Sequence, residues 1–216
     1  MSAPVEREIE SYRALQARVS GRVVHERSLE IFCADGILPP TNRVTRCFGA
    51  VIETLRASSV LDLGCGTGIL ALIASRFADR VIGVDLDPRA VACARRNAAL
   101  NGVVNVRFLV GDSYAPVAGQ QFDLIVSNPP FYPVSQIARA PAALCVAPEN
   151  PLLDALIQGF PRHLKPGGQA LFVTSSLSDN HHVERLLRRN HLRFSCQVLH
   201  RGQGLSQDIL LWQVVR

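Results

Sequence analysis

The chain has 216 residues, 48% of them hydrophobic and 19% charged, with a formal net charge of +5; this is enough apolar material for one core of ordinary domain size and excludes a disordered chain. Its longest apolar stretches, such as Gly68 to Ala74 and Ile209 to Trp212, fall far short of the roughly 20 residues that a membrane-spanning helix needs. Glu6, Arg7, Glu8 and Glu10 interrupt the region where an export signal would be apolar, so a cytoplasmic protein that crosses no membrane is expected.

In chain order, Val5, Ile9, Tyr12, Gln16 and Val19 recur at three- and four-residue steps, which predicts an amphipathic helix that packs on the domain or lids its site. Residues 1–45 read as an N-terminal extension and 46–216 as the main domain, with neither a repeat nor a linker between domains. From Ser59 onward, strand-like runs alternate with helical ones. The strands are Val60 to Leu63, Arg80 to Val84, Asn105 to Val110, Phe122 to Val126 and Gln169 to Thr174. The helices are Ile69 to Phe77, Arg89 to Leu100, Leu152 to Leu164 and Asn180 to Arg189. Such alternation predicts an α/β fold, a parallel sheet wound on both faces by helices. The second helix is well punctuated, by Asp87 at the cap, Pro88 in the first turn and Gly102 just past the end. Two last runs, Arg193 to Leu199 and Asp208 to Val215, have no helix between them and should close the sheet as an antiparallel hairpin.

The chemistry concentrates in Asp62-Leu63-Gly64-Cys65-Gly66-Thr67-Gly68, which follows one predicted strand and precedes a helix. Glycines there allow a ligand to approach the backbone. The spacing is G-x-G-x-G, and Ile69 stands where the dinucleotide-binding pattern G-x-G-x-x-G places its third glycine. Asp85, Asp112 and Asn128 end three further strands, so one crevice at the carboxyl edge of the sheet can hold all four features. The six cysteines, Cys33, Cys47, Cys65, Cys93, Cys145 and Cys196, form no C-x-x-C pair and have no histidine at zinc-ligand spacing, so neither a metal site nor a disulfide framework is expected.

These residues resemble the motifs of class I S-adenosylmethionine-dependent methyltransferases, small-domain type, over roughly Leu38 to Val215. The resemblance implies a single Rossmann-like sheet of order 3-2-1-4-5-7-6, counted from the strand at Val60, with the last strand antiparallel. It implies S-adenosyl-L-methionine as cofactor and S-adenosyl-L-homocysteine as product. It assigns to the cofactor Asp62, Gly64, Cys65, Gly66 and Gly68 of the glycine turn, Asp85 and Leu86 at the ribose, Asp112 and Ser113 at the adenine, and Asn128 from the opposite side. Asn128-Pro129-Pro130-Phe131 is similar to the catalytic motif of amino- and amide-nitrogen methyltransferases: Asn128 and Pro129 would accept hydrogen bonds from the target nitrogen, and Phe131 and Tyr132 would stack on a flat substrate. Leu38-Pro39-Pro40-Thr41-Asn42 resembles the proline segment that approaches the methionine end of the cofactor or the substrate in release-factor glutamine enzymes. Thr41 is carried over from it, although a helix cap explains that residue equally.

The implied partner is a planar nitrogen-containing substrate: a protein glutamine, a nucleic-acid base or a small biosynthetic molecule. About 58 residues precede the first strand, fewer than the full helical recognition domain of the release-factor enzymes, which keeps the small molecule open. Arg185, Arg188, Arg189, Arg193 and Arg201, with Arg95 and Arg96, form a basic set that is either a solvated face or a nucleic-acid contact. His181 and His182 read as surface residues at a helix start. A nucleotide-dependent oxidoreductase and a catalytically silent cofactor-binding subunit are the readings of a different class.

Overall fold

A computed structural model describes residues 3–130, 132–133, 145–146, 151–202 and 207–216. Helix α1 (Ala3–Val19) leads into a hairpin of β1 (Val23–Glu26) and β2 (Leu29–Phe32), and α2 (Arg43–Ile52) follows. The alternating part runs β3 (Ser59–Leu63), α3 (Ile69–Ala74), β4 (Arg80–Asp85), α4 (Pro88–Leu100), β5 (Val106–Val110), β6 (Phe122–Ser127). After a two-residue parallel pair, β7 (Tyr132–Pro133) and β8 (Cys145–Val146), come α5 (Pro151–His163), β9 (Leu164–Ser175), α6 (Asn180–Arg189), β10 (Arg193–His200) and β11 (Ile209–Val215).

The seven-stranded sheet has the order β5-β4-β3-β6-β9-β11-β10, and β11 runs antiparallel to both of its neighbours. Counted from β3 and leaving out the short pair, this is the expected 3-2-1-4-5-7-6. Strand β3 lies inside the sheet, between β4 and β6, and is buried along its whole length, as a strand covered on both faces must be. Its period of two sends Val60 to the face packed by α2 and α3, with Phe48, Ile52 and Leu72. It sends Leu61 and Leu63 to the opposite face, packed by α5 and α6 with Leu156, Phe160, Phe172, Leu187 and Trp212. Asp62 therefore points toward α3 from the middle of a core.

Element ends follow local chemistry. Asp87 caps α4 by accepting from Arg89 N at 2.8 Å, with Pro88 in the first turn and Gly102 at φ +61° beyond its end. Two boundaries move by more than a residue or so from those expected, and one capping residue differs. Helix α3 stops at Ala74 rather than Phe77, where the Ser75 hydroxyl turns back to the Leu72 carbonyl at 2.7 Å. Strand β9 starts at Leu164, because Phe122 pairs with Leu164 before the register jumps to Leu124 and Gln169; Gly167 at φ +77° lets the chain loop out between. The cap of α2 is Asn42, whose side-chain oxygen accepts from Thr45 N at 2.9 Å, and not Thr41.

The β1–β2 hairpin is not visible in the sequence pattern. Its two-residue turn holds Arg27 and Ser28 at φ +53° and +59°, a conformation that hairpins usually give to Asn-Gly. The Arg27 side chain is fastened to Glu53 and to the Arg46 carbonyl, and Arg76 donates to the Arg27 carbonyl, so tertiary contacts hold a turn that local preference would not.

Candidate functional site

The carboxyl ends of β3, β4, β5 and β6 open on one cavity of about 760 Å³, within the usual range for a small-molecule site. It lies where the sheet order reverses between β3 and β6, the place at which open parallel sheets bind ligands. Ser127 Oγ donates to the Leu63 carbonyl at 2.7 Å, which pins the two strand ends together under its floor.

Gly64 and Gly66 have φ of +77° and +54°, and a methyl group built on either would meet only Leu152 at 3.4 Å or Ile37 at 3.8 Å. Their open sides face the cavity, so this stretch of backbone is bare to a ligand. Gly68, also at positive φ, differs: its added carbon would lie 2.9 Å from Ala94 and from the Phe108 ring. It is required by packing, and it does not line the cavity. The turn itself is held by Gly64 N and Cys65 N donating to the Val84 carbonyl at 2.8 and 3.0 Å.

Asp85 reaches across from β4. One carboxylate oxygen accepts from Gly66 N at 2.9 Å and the other from Asp87 N at 3.0 Å; burial, only partly offset by these bonds, raises its pKa. Asp62 is wholly buried and accepts from Ala71 N at 3.1 Å, while its second oxygen has no hydrogen-bond partner among the described residues. Burial, countered by the Ala71 bond and reinforced by Asp85, pushes it up to about 7. Burial likewise raises the Cys65 thiol, so it is no ready nucleophile.

Of the residues singled out in the sequence, Gly64, Cys65, Gly66, Asp85, Leu86, Asp112, Ser113 and Asn128 line this cavity. Asp62, Gly68, Thr41 and Pro129 do not; Thr41 sits just before α2 with its hydroxyl buried and without a partner among the described residues. Phe131 lies outside the described residues, and Tyr132 is described only as part of β7. Asn128 is half-buried, and among the described residues its amide makes no hydrogen bond to the protein. Leu38, which opens the proline segment expected near the cofactor, lines the cavity, and so do residues not singled out in the sequence: Gly36 and Ile37 after the hairpin, Thr45 on α2, and Leu152 on α5.

The lining is acidic and apolar, with Asp85, Asp87 and Asp112 against a single cation, Arg89, among the described lining residues. Arg89 is itself paired with Asp87 at 2.7 Å. This suits a cationic nucleoside ligand with ribose hydroxyls and would repel the pyrophosphate of a dinucleotide. A sheet of this order with a bare glycine turn facing an acidic strand end defines the class of S-adenosylmethionine-dependent methyltransferases.

Within that class, the chain belongs to the methyltransferase small domain family, whose pattern matches residues 27–203. It is similar to a putative protein N5-glutamine methyltransferase of Methanocaldococcus jannaschii, 35% identical over 130 residues, which are 57% of this chain and 65% of the relative. It is also similar to a release factor glutamine methyltransferase of Geobacter sulfurreducens, 31% identical over 182 residues, or 74% of this chain and 64% of that one. This chain thus spans less than two thirds of either relative. The fold matches the N-methyltransferase NodS of Bradyrhizobium japonicum in complex with S-adenosyl-L-homocysteine, with a TM-score of 0.60 at 18% identity, covering 82% of this chain and 89% of NodS.

Proposed function

We propose that the domain transfers a methyl group from S-adenosylmethionine to the side-chain nitrogen of a protein glutamine. The observation that carries this reading is the amide of Asn128, on the cavity wall with the glycine turn and without a hydrogen-bond partner among the described residues. When bound there, the cofactor supplies a methyl group made electrophilic by its sulfonium. Gly64 and Gly66 would receive its backbone-facing side, Asp85 and Leu86 its ribose, and Asp112 and Ser113 its base.

An amide nitrogen is a weak nucleophile because its lone pair is delocalised into the carbonyl. The Asn128 side-chain oxygen and the Pro129 carbonyl would each accept one N–H of the target. Held so, the nitrogen presents its lone pair toward the methyl group, and both bonds strengthen as positive charge develops on it. No strong base is required, consistent with described walls that carry three carboxylates and no histidine. The two prolines after Asn128 restrict the segment and keep the acceptors in place, and Phe131 and Tyr132 would flank the flat group. Residues 1–45 would complete the cofactor-facing wall, and 46–216 carry the transfer.

The 31–40% identity to proteins named for glutamine methylation supports the choice of acceptor. A nucleic-acid base is the second reading, favoured by the exposed Arg185, Arg188, Arg189 and Arg193 along α6 and at the start of β10. Mass spectrometry of protein digests and nucleosides from cells with and without the gene tests both. A methylated glutamine peptide that disappears with the gene supports the first reading. A methylated nucleoside that does so instead transfers the assignment to the second, and a small metabolite alone overturns both.

A further inference from the structure

The β1–β2 hairpin belongs to the cofactor-binding machinery through two asparagines on α4. β2 pairs with β1 on one side only, so its other edge offers the N–H and C=O groups of Glu30 and Phe32 to whatever lies beside it. That neighbour is a helix. The Asn101 side chain accepts from Glu30 N at 2.9 Å and donates to Glu30 O at 2.8 Å. The Asn97 side chain accepts from Phe32 N at 2.8 Å and donates to Phe32 O at 3.1 Å.

Each amide thus replaces one residue of a neighbouring strand, and the spacing explains why two suffice. Four residues of helix rise about 6 Å, and two residues of strand about 6.8 Å, so side chains at i and i+4 meet alternate residues of the edge. Asn97 does more. It is fully buried, and its amide also donates to the Thr67 carbonyl at 2.9 Å, on the glycine turn. The residues just after Phe32 lead to Gly36, Ile37 and Leu38, the wall that faces Gly66.

We infer that Asn97 is a positioning residue, whose single amide sets the glycine turn and the Gly36–Leu38 wall at a fixed separation and so couples the hairpin to cofactor affinity. The inference rests on the reading of the cavity as the S-adenosylmethionine site. Asn101 makes the same kind of contact to β2 and none to the turn, which makes it the control.

The test is calorimetric titration of Asn97→Ala, Asn97→Asp and Asn101→Ala with S-adenosylhomocysteine, beside hydrogen exchange of the unaltered protein with and without it. Asn97→Ala is expected to lose about tenfold in affinity, the worth of a buried hydrogen bond or two, and Asn101→Ala at most about threefold. Asn97→Asp keeps the acceptor for Phe32 N but offers no amide donor to the two carbonyls, so it should bind no better than the alanine variant. In the unaltered protein, ligand should slow exchange at the Phe32 amide as well as in the glycine turn, since coupling is reciprocal. The proposal is overturned by equal losses in the Asn97 and Asn101 alanine variants, by full affinity in Asn97→Asp, or by protection of the turn with the Phe32 amide unchanged. Protection nowhere would remove the cofactor reading itself and the proposal with it. The exchange measurement decides if the Asn97 variants do not fold.

Discussion

The two sides of the carboxyl edge are built on opposite plans. On the β3–β4 side three polar side chains are already bonded to backbone: Asp85 to Gly66 and Asp87, Asp62 through one oxygen to Ala71, Asn97 to Thr67 and Phe32. On the β6 side the committed group is Ser127, which ties the strand end to Leu63, while the next residue, Asn128, lines the cavity with an amide that makes no hydrogen bond among the described residues. The first plan fixes a frame before anything binds, which lowers the cost of ordering a cofactor. On the proposed function, the second would reserve hydrogen-bonding capacity for a group that changes charge during reaction, where it would stabilise the transition state more than the ground state. Binding and chemistry should therefore separate by side.

The sharpest break in that division is Asn128→Ala. It should lower kcat by on the order of 10²–10³-fold, as removal of one preorganised polar group from a reacting centre does elsewhere, with affinity for S-adenosylhomocysteine changed by no more than about threefold. Single-turnover methylation paired with calorimetry measures both. A variant with full turnover would remove Asn128 from the chemistry. Asp85→Ala should do the reverse: cofactor affinity falls roughly 10- to 100-fold, the worth of hydrogen bonds to a charged group, while kcat at saturating cofactor stays within about threefold. If kcat falls as far as affinity, the two sides do not act separately.

That division was partly legible before any coordinates. Strands at the sheet centre show as short β-rich runs because both faces are buried, and the turns at their carboxyl ends carry Gly64, Asp85, Asp112 and Asn128 in an order that topology alone brings together. Capping residues marked α4 for the same local reason. What stayed hidden depended on partners distant in sequence. The hairpin turn at Arg27 and Ser28 carries no glycine or asparagine, because Glu53 and Arg76 hold it instead. The wall at Gly36 to Leu38 acquires its meaning only when β2 lies against α4, and the spacing of Asn97 and Asn101 reads as an ordinary helix face until an edge strand is set beside it. Gly68 shows the converse: it sits in the glycine motif, yet Ala94 and Phe108 explain it, and no ligand contact is needed.

Asp62 sharpens the comparison through pH. In an unfolded chain its carboxyl titrates near 4, and in the fold burial, ahead of Asp85, holds it at about 7. Between those values the folded protein keeps a proton that the unfolded chain has released. The stability this proton contributes is complete below about pH 4, is lost as pH rises toward 7, and changes no further above it. Asp62→Asn removes the titration, so the ligand-free variant should lack that decline and exceed the parent at pH 8 by on the order of 1–2 kcal/mol, allowing for relaxation around the buried group. Denaturant unfolding of both proteins at pH 5 and pH 8 measures the difference. Parallel pH profiles would mean that Asp62 is ionised in the fold, with its free oxygen satisfied by water.

Arg89 should give the smallest effect. It is the single cation among the described lining residues, but its side chain is 74% exposed and engaged with Asp87. An exposed pair of this kind is screened by solvent and salt, so Arg89→Ala is expected to change cofactor affinity within about threefold. The sign carries the information. A cationic ligand should bind slightly better once Arg89 is gone, and the gain should shrink as salt is raised, because the removed repulsion is long-ranged and screened. A loss of affinity larger than that of Asp85→Ala would mean that Arg89 grips an anionic group, which would contradict the acidic frame and return the dinucleotide to consideration. Titration of the one variant with S-adenosylmethionine and with NAD, at low and high salt, separates these outcomes.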